Sequence, residues 1–172
     1  MNFWSDWFEY GCFCPVMRLH GYRWPLQPQY GTTGGATCVS GAPNEVWSYT
    51  DQVCEILSDY LRLRERMLPY ITELMEEAHE KGTPVMRPLF YDFPEDKESW
   101  NVETEYMFGP KVLVKPITDA DARETDVYLP GGASWTNAWT GETFEGGQKV
   151  HVAAPIEQIP LFTRDGYKLP MK

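Results

Sequence analysis

Trp7-Phe8-Glu9-Tyr10-Gly11-Cys12-Phe13-Cys14-Pro15-Val16-Met17-Arg18-Leu19-His20-Gly21 is the stretch on which the reading of this chain turns. Its first part continues a helical pattern from Asn2, with Phe3, Trp7 and Tyr10 on one stripe and Gly11 as a stop signal. Residues Cys12 to Leu19 are short and apolar, and they end in Arg18-Leu19-His20-Gly21, which suits a strand buried on both faces. A parallel strand of that kind can neither pair its own backbone groups nor cover its own faces. The stretch is therefore expected to be the last strand of a (β/α)8 barrel whose other strands are encoded elsewhere. Arg18 and His20 then fall at the C-terminal end of that strand, where such barrels build their active sites. On an extended strand the two share a side, so Arg18 is placed to anchor a carboxylate from the missing part or to make a structural ion pair.

Working outward, Gly21 to Pro43 is rich in glycine and proline and has no period, which predicts a long functional loop held by Tyr22, Trp24 and Tyr30. Trp24 and Tyr22 are candidates for the rim of a substrate pocket. From Asn44 to Lys81 apolar residues recur at three and four, among them Val53, Ile56, Leu57, Tyr60, Leu61, Leu68, Ile71, Leu74, Met75 and Ala78. Pro69 predicts a kink or break near Met67 and Leu68, and Lys81-Gly82 a helix end. Beyond Gly82 the pattern becomes short runs between turn signals. Strands are expected over Val85–Phe93, Met107–Ile117, Glu124–Leu129, Ser134–Trp139, Gly147–Val152 and Gln158–Thr163. The fold class is thus α/β plus all-β: the end of a (β/α)8 barrel over residues 1–84, followed by an antiparallel β-sandwich over residues 85–172.

Composition narrows the function. A formal net charge of -10, with the 15 basic residues scattered, excludes a protein that tracks nucleic-acid phosphates. No run approaches the ~20 apolar residues of a membrane span, and the first residues carry no leader pattern; the compartment stays unknown, with the cytoplasm favoured, since any signal would lie upstream. Cys12, Cys14, Cys38 and Cys54 have no metal-ligand spacing and read as free thiols, and no metal or cofactor is expected. His79 and His151 belong to no motif and read as surface residues. Seven Trp, ten Tyr and eight Phe exceed what a small helical bundle needs; such rings fill sandwich cores and also stack on sugars.

The quoted stretch resembles the eighth-strand region of glycoside hydrolase family 31, the α-glucosidases and α-xylosidases, in its Trp-Phe, its Gly-x-Phe-x-Pro core and its Arg-x-His-Gly. Further matches follow in the family's order: Arg66-Met67-Leu68-Pro69-Tyr70, Gly82-Thr83-Pro84-Val85-Met86-Arg87-Pro88-Leu89, Tyr106-Met107-Phe108-Gly109-Pro110, Val127-Tyr128-Leu129-Pro130 and Pro155-Ile156-Glu157-Gln158-Ile159-Pro160-Leu161-Phe162. Asp6 and Glu9 depart from the family's usual Arg and Gln. The resemblance implies a retaining glycosidase acting on α-linked oligosaccharides or glycosides, in which two carboxyl groups about 5–5.5 Å apart attack the anomeric carbon and protonate the leaving oxygen. The family's two catalytic aspartates match no motif of this chain, so no residue here is assigned as catalytic. The implied role of His20 is to contact the hydroxyls of the sugar in the cleavage subsite, since a neutral imidazole offers one donor and one acceptor. The chain is then expected to be a C-terminal fragment, inactive alone, that needs the missing N-terminal barrel portion as partner and is prone to form homo-oligomers through its uncovered faces. The choice between xyloside and glucoside stays open. The alternative is a non-catalytic sandwich that supports the barrel or binds glycans; a flat, coplanar exposed pair among Trp100, Trp135 and Trp139 would favour binding through these rings, and their burial would refute it.

Overall fold

The computed structural model describes residues 3–19, 23–27, 32–33, 36–37 and 40–171. The chain opens with α1 (Phe3–Cys12), followed by β1 (Arg23–Gln27), β2 (Thr32–Thr33), β3 (Ala36–Thr37) and β4 (Ser40–Ala42). A 3-10 turn at Val46–Ser48 leads into α2 (Asp51–Lys81), and then come β5 (Met86–Arg87), α3 (Leu89–Asp92) and a second 3-10 turn, Lys97–Trp100. The remaining strands are β6 (Tyr106–Phe108), β7 (Val112–Val114), β8 (Glu124–Leu129), β9 (Ser134–Asn137), β10 (Thr143–Glu145), β11 (Gln148–Ala153) and β12 (Leu161–Arg164).

Six strands form one antiparallel sheet in the order β10-β9-β12-β7-β6-β5, and β8 and β11 pair as a separate ribbon. The two-residue period of the strands splits the apolar side chains between two faces. Phe108, Val112, Val114 and Leu161 join the core under the helices, with Phe8, Cys12 and Phe13 of the first segment and Leu57, Tyr60, Met67, Tyr70 and Leu74 of α2. Met107, Leu113 and Phe162 point the other way and pack with Trp135 and with Val127, Leu129 and Val150 of the ribbon. The result is three layers, with helices on one face of the sheet and the ribbon on the other.

Thr50 caps α2, its hydroxyl accepting from the Val53 amide, and Gly82 ends the helix with φ of 69° and its N–H donating to the Ala78 carbonyl at 3.0 Å. Gly109, with φ of +61°, makes the β6–β7 turn directly against α2; a Cβ there would lie 2.4 Å from the Tyr70 hydroxyl and 2.5 Å from Leu74.

Several sequence expectations need correction. Residues 12–19 hold no strand: α1 passes through Gly11 to Cys12, and a turn and irregular backbone follow, with Val16, Arg18 and Leu19 exposed. A parallel strand requires neighbours, and none pairs with this segment among the described residues. The segment after His20 is not a structureless loop, because β1 pairs with β4 and β2 with β3; β2 to β4 are two or three residues each of Thr, Ser, Gly and Ala, and Pro25 breaks the strand signal of β1. Helix α2 runs through Pro69 without a break. Its buried stripe passes through Leu63 and Met67, and Leu61, Leu68 and Met75 are exposed. The run Val85–Phe93 splits into β5 and α3, Met107–Ile117 splits into β6 and β7 at Gly109, and β10 had no separate signal.

Candidate functional site

The candidate residues follow the C-terminal end of α1, where a helix leaves carbonyls without intrahelical partners. Phe13 is fully buried, its ring edge-on to Phe108 at 6.2 Å, and this fixes where the chain leaves the helix. Arg64 of α2 then donates to the carbonyls of Cys12 at 2.7 Å, Cys14 at 2.9 Å and Pro15 at 3.1 Å. The Tyr106 hydroxyl of β6 donates to the carbonyl of Phe13 at 3.0 Å. Four consecutive carbonyls are thus held by side chains from α2 and β6, at the negative end of the α1 dipole where a guanidinium is favoured. These bonds do for this segment what a strand ladder was expected to do.

Beyond the clamp the chain borders a hollow of about 270 Å3 lined by Trp7, Tyr10, Met17, Arg18, Leu19 and Tyr49 among others. No carboxylate belongs to its lining among the described residues. Arg18 is exposed there, a cation with only donors to offer, beside apolar and aromatic surface. Its expected alternation with His20 along a strand does not apply, because no strand is present. His20 and Tyr22 lie outside the described residues; Trp24 sits on β1, and its side chain lies outside them too.

The two thiols at the end of α1 are held in the protonated form. Burial pushes Cys12 up to about 12 and raises Cys14 as well, which keeps both protonated at neutral pH. Cys12, Cys14 and Cys54 are free, and no cluster of His, Cys, Asp and Glu suited to a metal occurs among the described residues. Cys38 lies outside them.

Two buried carboxyls stand outside the site residues expected from sequence. Glu9 of α1 lies in the aromatic core beside Tyr60, whose hydroxyl donates to the Glu157 carbonyl at 3.2 Å and accepts from the Ile159 amide at 2.9 Å. The Glu9 Oε1 has no partner, and burial, reinforced by the charge of Asp6, pushes its carboxyl up to about 9. Glu105 accepts from the Tyr128 amide at 3.0 Å and lies 3.7 Å from Lys115; burial outweighs both and pushes it up to about 7. In sequence Glu9 is marked by its place among aromatic residues and by its departure from the family's usual Gln, whereas Glu105 gives no signal. The three tryptophans form no platform: Trp135 is fully buried and donates to Pro130, Trp139 is half-buried and donates to Ile159, and Trp100 alone is exposed. His79 and His151 are exposed, as expected.

Two family models cover this architecture. The glycosyl hydrolases family 31 TIM-barrel domain matches residues 2–74, and the glycosyl hydrolase family 31 C-terminal domain matches residues 82–169. The chain belongs to glycosyl hydrolase family 31. Within the family it is similar to an alpha-xylosidase of Saccharolobus solfataricus, at 36% identity over 96% of this chain and 20% of that protein. It is also similar to alpha-glucosidase 2 of Bacillus thermoamyloliquefaciens, at 35% identity over 94% of this chain and 18% of that protein. Among solved structures, a family 31 alpha-xylosidase from a soil metagenome, complexed with xylose, superposes with a TM-score of 0.90 at 44% identity, covering 98% of this chain and 25% of that one. The chain spans about a fifth of the length of the curated family 31 relatives it matches.

Proposed function

We propose that this chain is the C-terminal part of a retaining α-glycoside hydrolase, with α-xylosides as its first substrate class and α-glucosides as its second. Residues 1–84 contribute the end of the barrel and residues 85–172 the sandwich that supports it. His20 contacts the hydroxyls of the sugar at the cleavage subsite, Trp24 borders the rim, and Arg18 fixes a loop from the upstream barrel portion, which supplies the nucleophile and the acid/base. The observation that carries this reading is the superposition on the soil-metagenome alpha-xylosidase over 98% of this chain but 25% of that enzyme. The 44% identity to that enzyme supports the xyloside preference. The hollow beside Arg18, which has no carboxylate in its described lining, supports the absence of a catalytic acid in this part.

Two measurements test the proposal. The purified chain is expected to release no aryl alcohol from aryl α-xylosides or α-glucosides, and steady turnover would refute the assignment of the catalytic carboxyls elsewhere. Replacing the matching quarter of the soil-metagenome enzyme with this chain is expected to give an active α-xylosidase. In that chimera His20→Ala should lower kcat/KM by about 100-fold, a loss of about 2.7 kcal/mol of transition-state binding. A chimera unaffected by His20→Ala would remove His20 from the subsite.

A further inference from the structure

Trp100 closes the second 3-10 turn, at the β5 edge of the six-stranded sheet. Its ring stacks on Phe90 of α3 at 4.5 Å between centroids and 13° between planes, and its Nε1 donates to the Pro94 carbonyl at 3.0 Å. One face of the indole is therefore taken and its orientation fixed, yet the residue remains 58% exposed. Burial does not explain an aromatic ring that is immobilised and left open. Beside it lies a shallow hollow of about 450 Å3, bordered by Met86, Phe90, Val102 and Tyr106 and by the carboxylates Glu103 and Glu105.

We propose that the Phe90–Trp100 shelf and this hollow bind a neutral glycan at a place separate from the Arg18 segment. The flat apolar face of a pyranose fits an open indole, and its hydroxyls are donors for a carboxylate. Glu103 is exposed and supplies that acceptor at the rim, whereas Glu105 is turned inward to the Tyr128 amide. The one cation among the described residues lining the hollow, Arg87, is committed to the Pro84 carbonyl at 2.7 Å and to Asp92 at 3.1 Å, so the hollow offers no free guanidinium to a phosphate or an anionic lipid. A net charge of -10 opposes polyanions further. The shelf also lies within the residues matched by the C-terminal domain model, apart from the exposed Trp7, Val16, Leu19 and Trp47 of the barrel-matched part. Because the shelf is already ordered, binding costs little side-chain entropy.

The choice of a glycan rests on the family 31 reading proposed above. Native gel electrophoresis of the full chain through xyloglucan, dextran or soluble starch tests it. At least one polysaccharide is expected to retard the wild-type chain and Trp47→Ala equally, and Trp100→Ala should weaken that retardation at least tenfold. If Trp100→Ala fails to fold, by circular dichroism and melting, Glu103→Ala decides, with an expected loss of at least threefold. Passage of the wild type unretarded through all three gels overturns the proposal. So does unchanged retardation of a folded Trp100→Ala, of Glu103→Ala where that variant decides, or an equal loss in Trp47→Ala. An inactive chimera would leave retardation at the shelf intact, and loss of retardation would leave chimera turnover intact, so the two readings fail separately.

Discussion

Glu9 is held against Tyr60 in the interior of the fold, with one oxygen unpartnered and Asp6 one turn away. In the folded chain its carboxyl is pushed up to about 9 from the ordinary 4.5 that the unfolded chain keeps, by burial first and the Asp6 charge second. A raised folded value means that its contribution to stability is complete below about pH 4.5 and is lost as pH rises toward 9. Glu105 adds a smaller loss of the same sign between about 4.5 and 7. Thermal melts should therefore show a falling melting temperature from pH 5 to pH 9. Glu9→Gln, which keeps the shape without the charge, should flatten that slope and stabilise the chain at pH 9 by on the order of a few kcal/mol. A slope identical to that of the wild type would mean that the carboxyl is solvated. This acid was hard to read from sequence because burial is the largest cause of its shift, and that burial depends on packing against α2, about fifty positions further along the chain. Arg64 was hidden for a similar reason: on its own helix it looks like a surface arginine, and only the approach of the α1 end gives it three carbonyls.

At the scale of elements, α2 is the one whose sequence signal was strongest and whose interruption was misjudged. Pro69 is exposed and removes the amide that would have bonded to the Glu65 carbonyl, yet Met67, Tyr70, Ile71 and Leu74 are buried on either side and hold the helix together. Tertiary burial outweighs the local defect. Pro69→Ala restores the missing bond on a solvent-facing position and should raise stability by about 1–3 kcal/mol in denaturant unfolding. A destabilised variant would show that the proline's shape is used in packing. The sandwich strands were legible where short runs are apolar throughout, as in Tyr106–Phe108 and Val112–Val114, because each face meets a different core. Strands β2 to β4 and β10 have no such run, and cross-strand pairing that sequence does not display defines them. The expected strand after α1 failed differently: its apolar character was read as burial by neighbours, and among the described residues Val16 stands 76% exposed.

For the molecule as a whole, the described surface keeps several large apolar groups exposed. Val16, Leu19 and Trp47 are exposed around the end of α1, and Leu61, Leu68 and Met75 repeat every seven residues along the outer side of α2. The isolated chain should therefore associate with copies of itself. Sedimentation velocity across a concentration series should show growing species, and Val16→Ser with Leu19→Ser and Trp47→Ser should suppress them. A wild-type chain that stays monomeric throughout would discount these faces. The family and the antiparallel sheet were legible from ordered motifs, whereas His20, on which the reading of the site rests, lies outside the described residues.

Helix α2 and the sheet bury one continuous set of side chains on both sides of Gly82, with Tyr70 donating to the Phe108 carbonyl at 2.9 Å and Tyr60 receiving the Ile159 amide. Anyone recombining family members to exchange their sandwiches would find the tempting crossover at that glycine unproductive. It would graft a foreign sheet beneath a helix shaped for another, so the helix must travel with the sheet as a single heritable block.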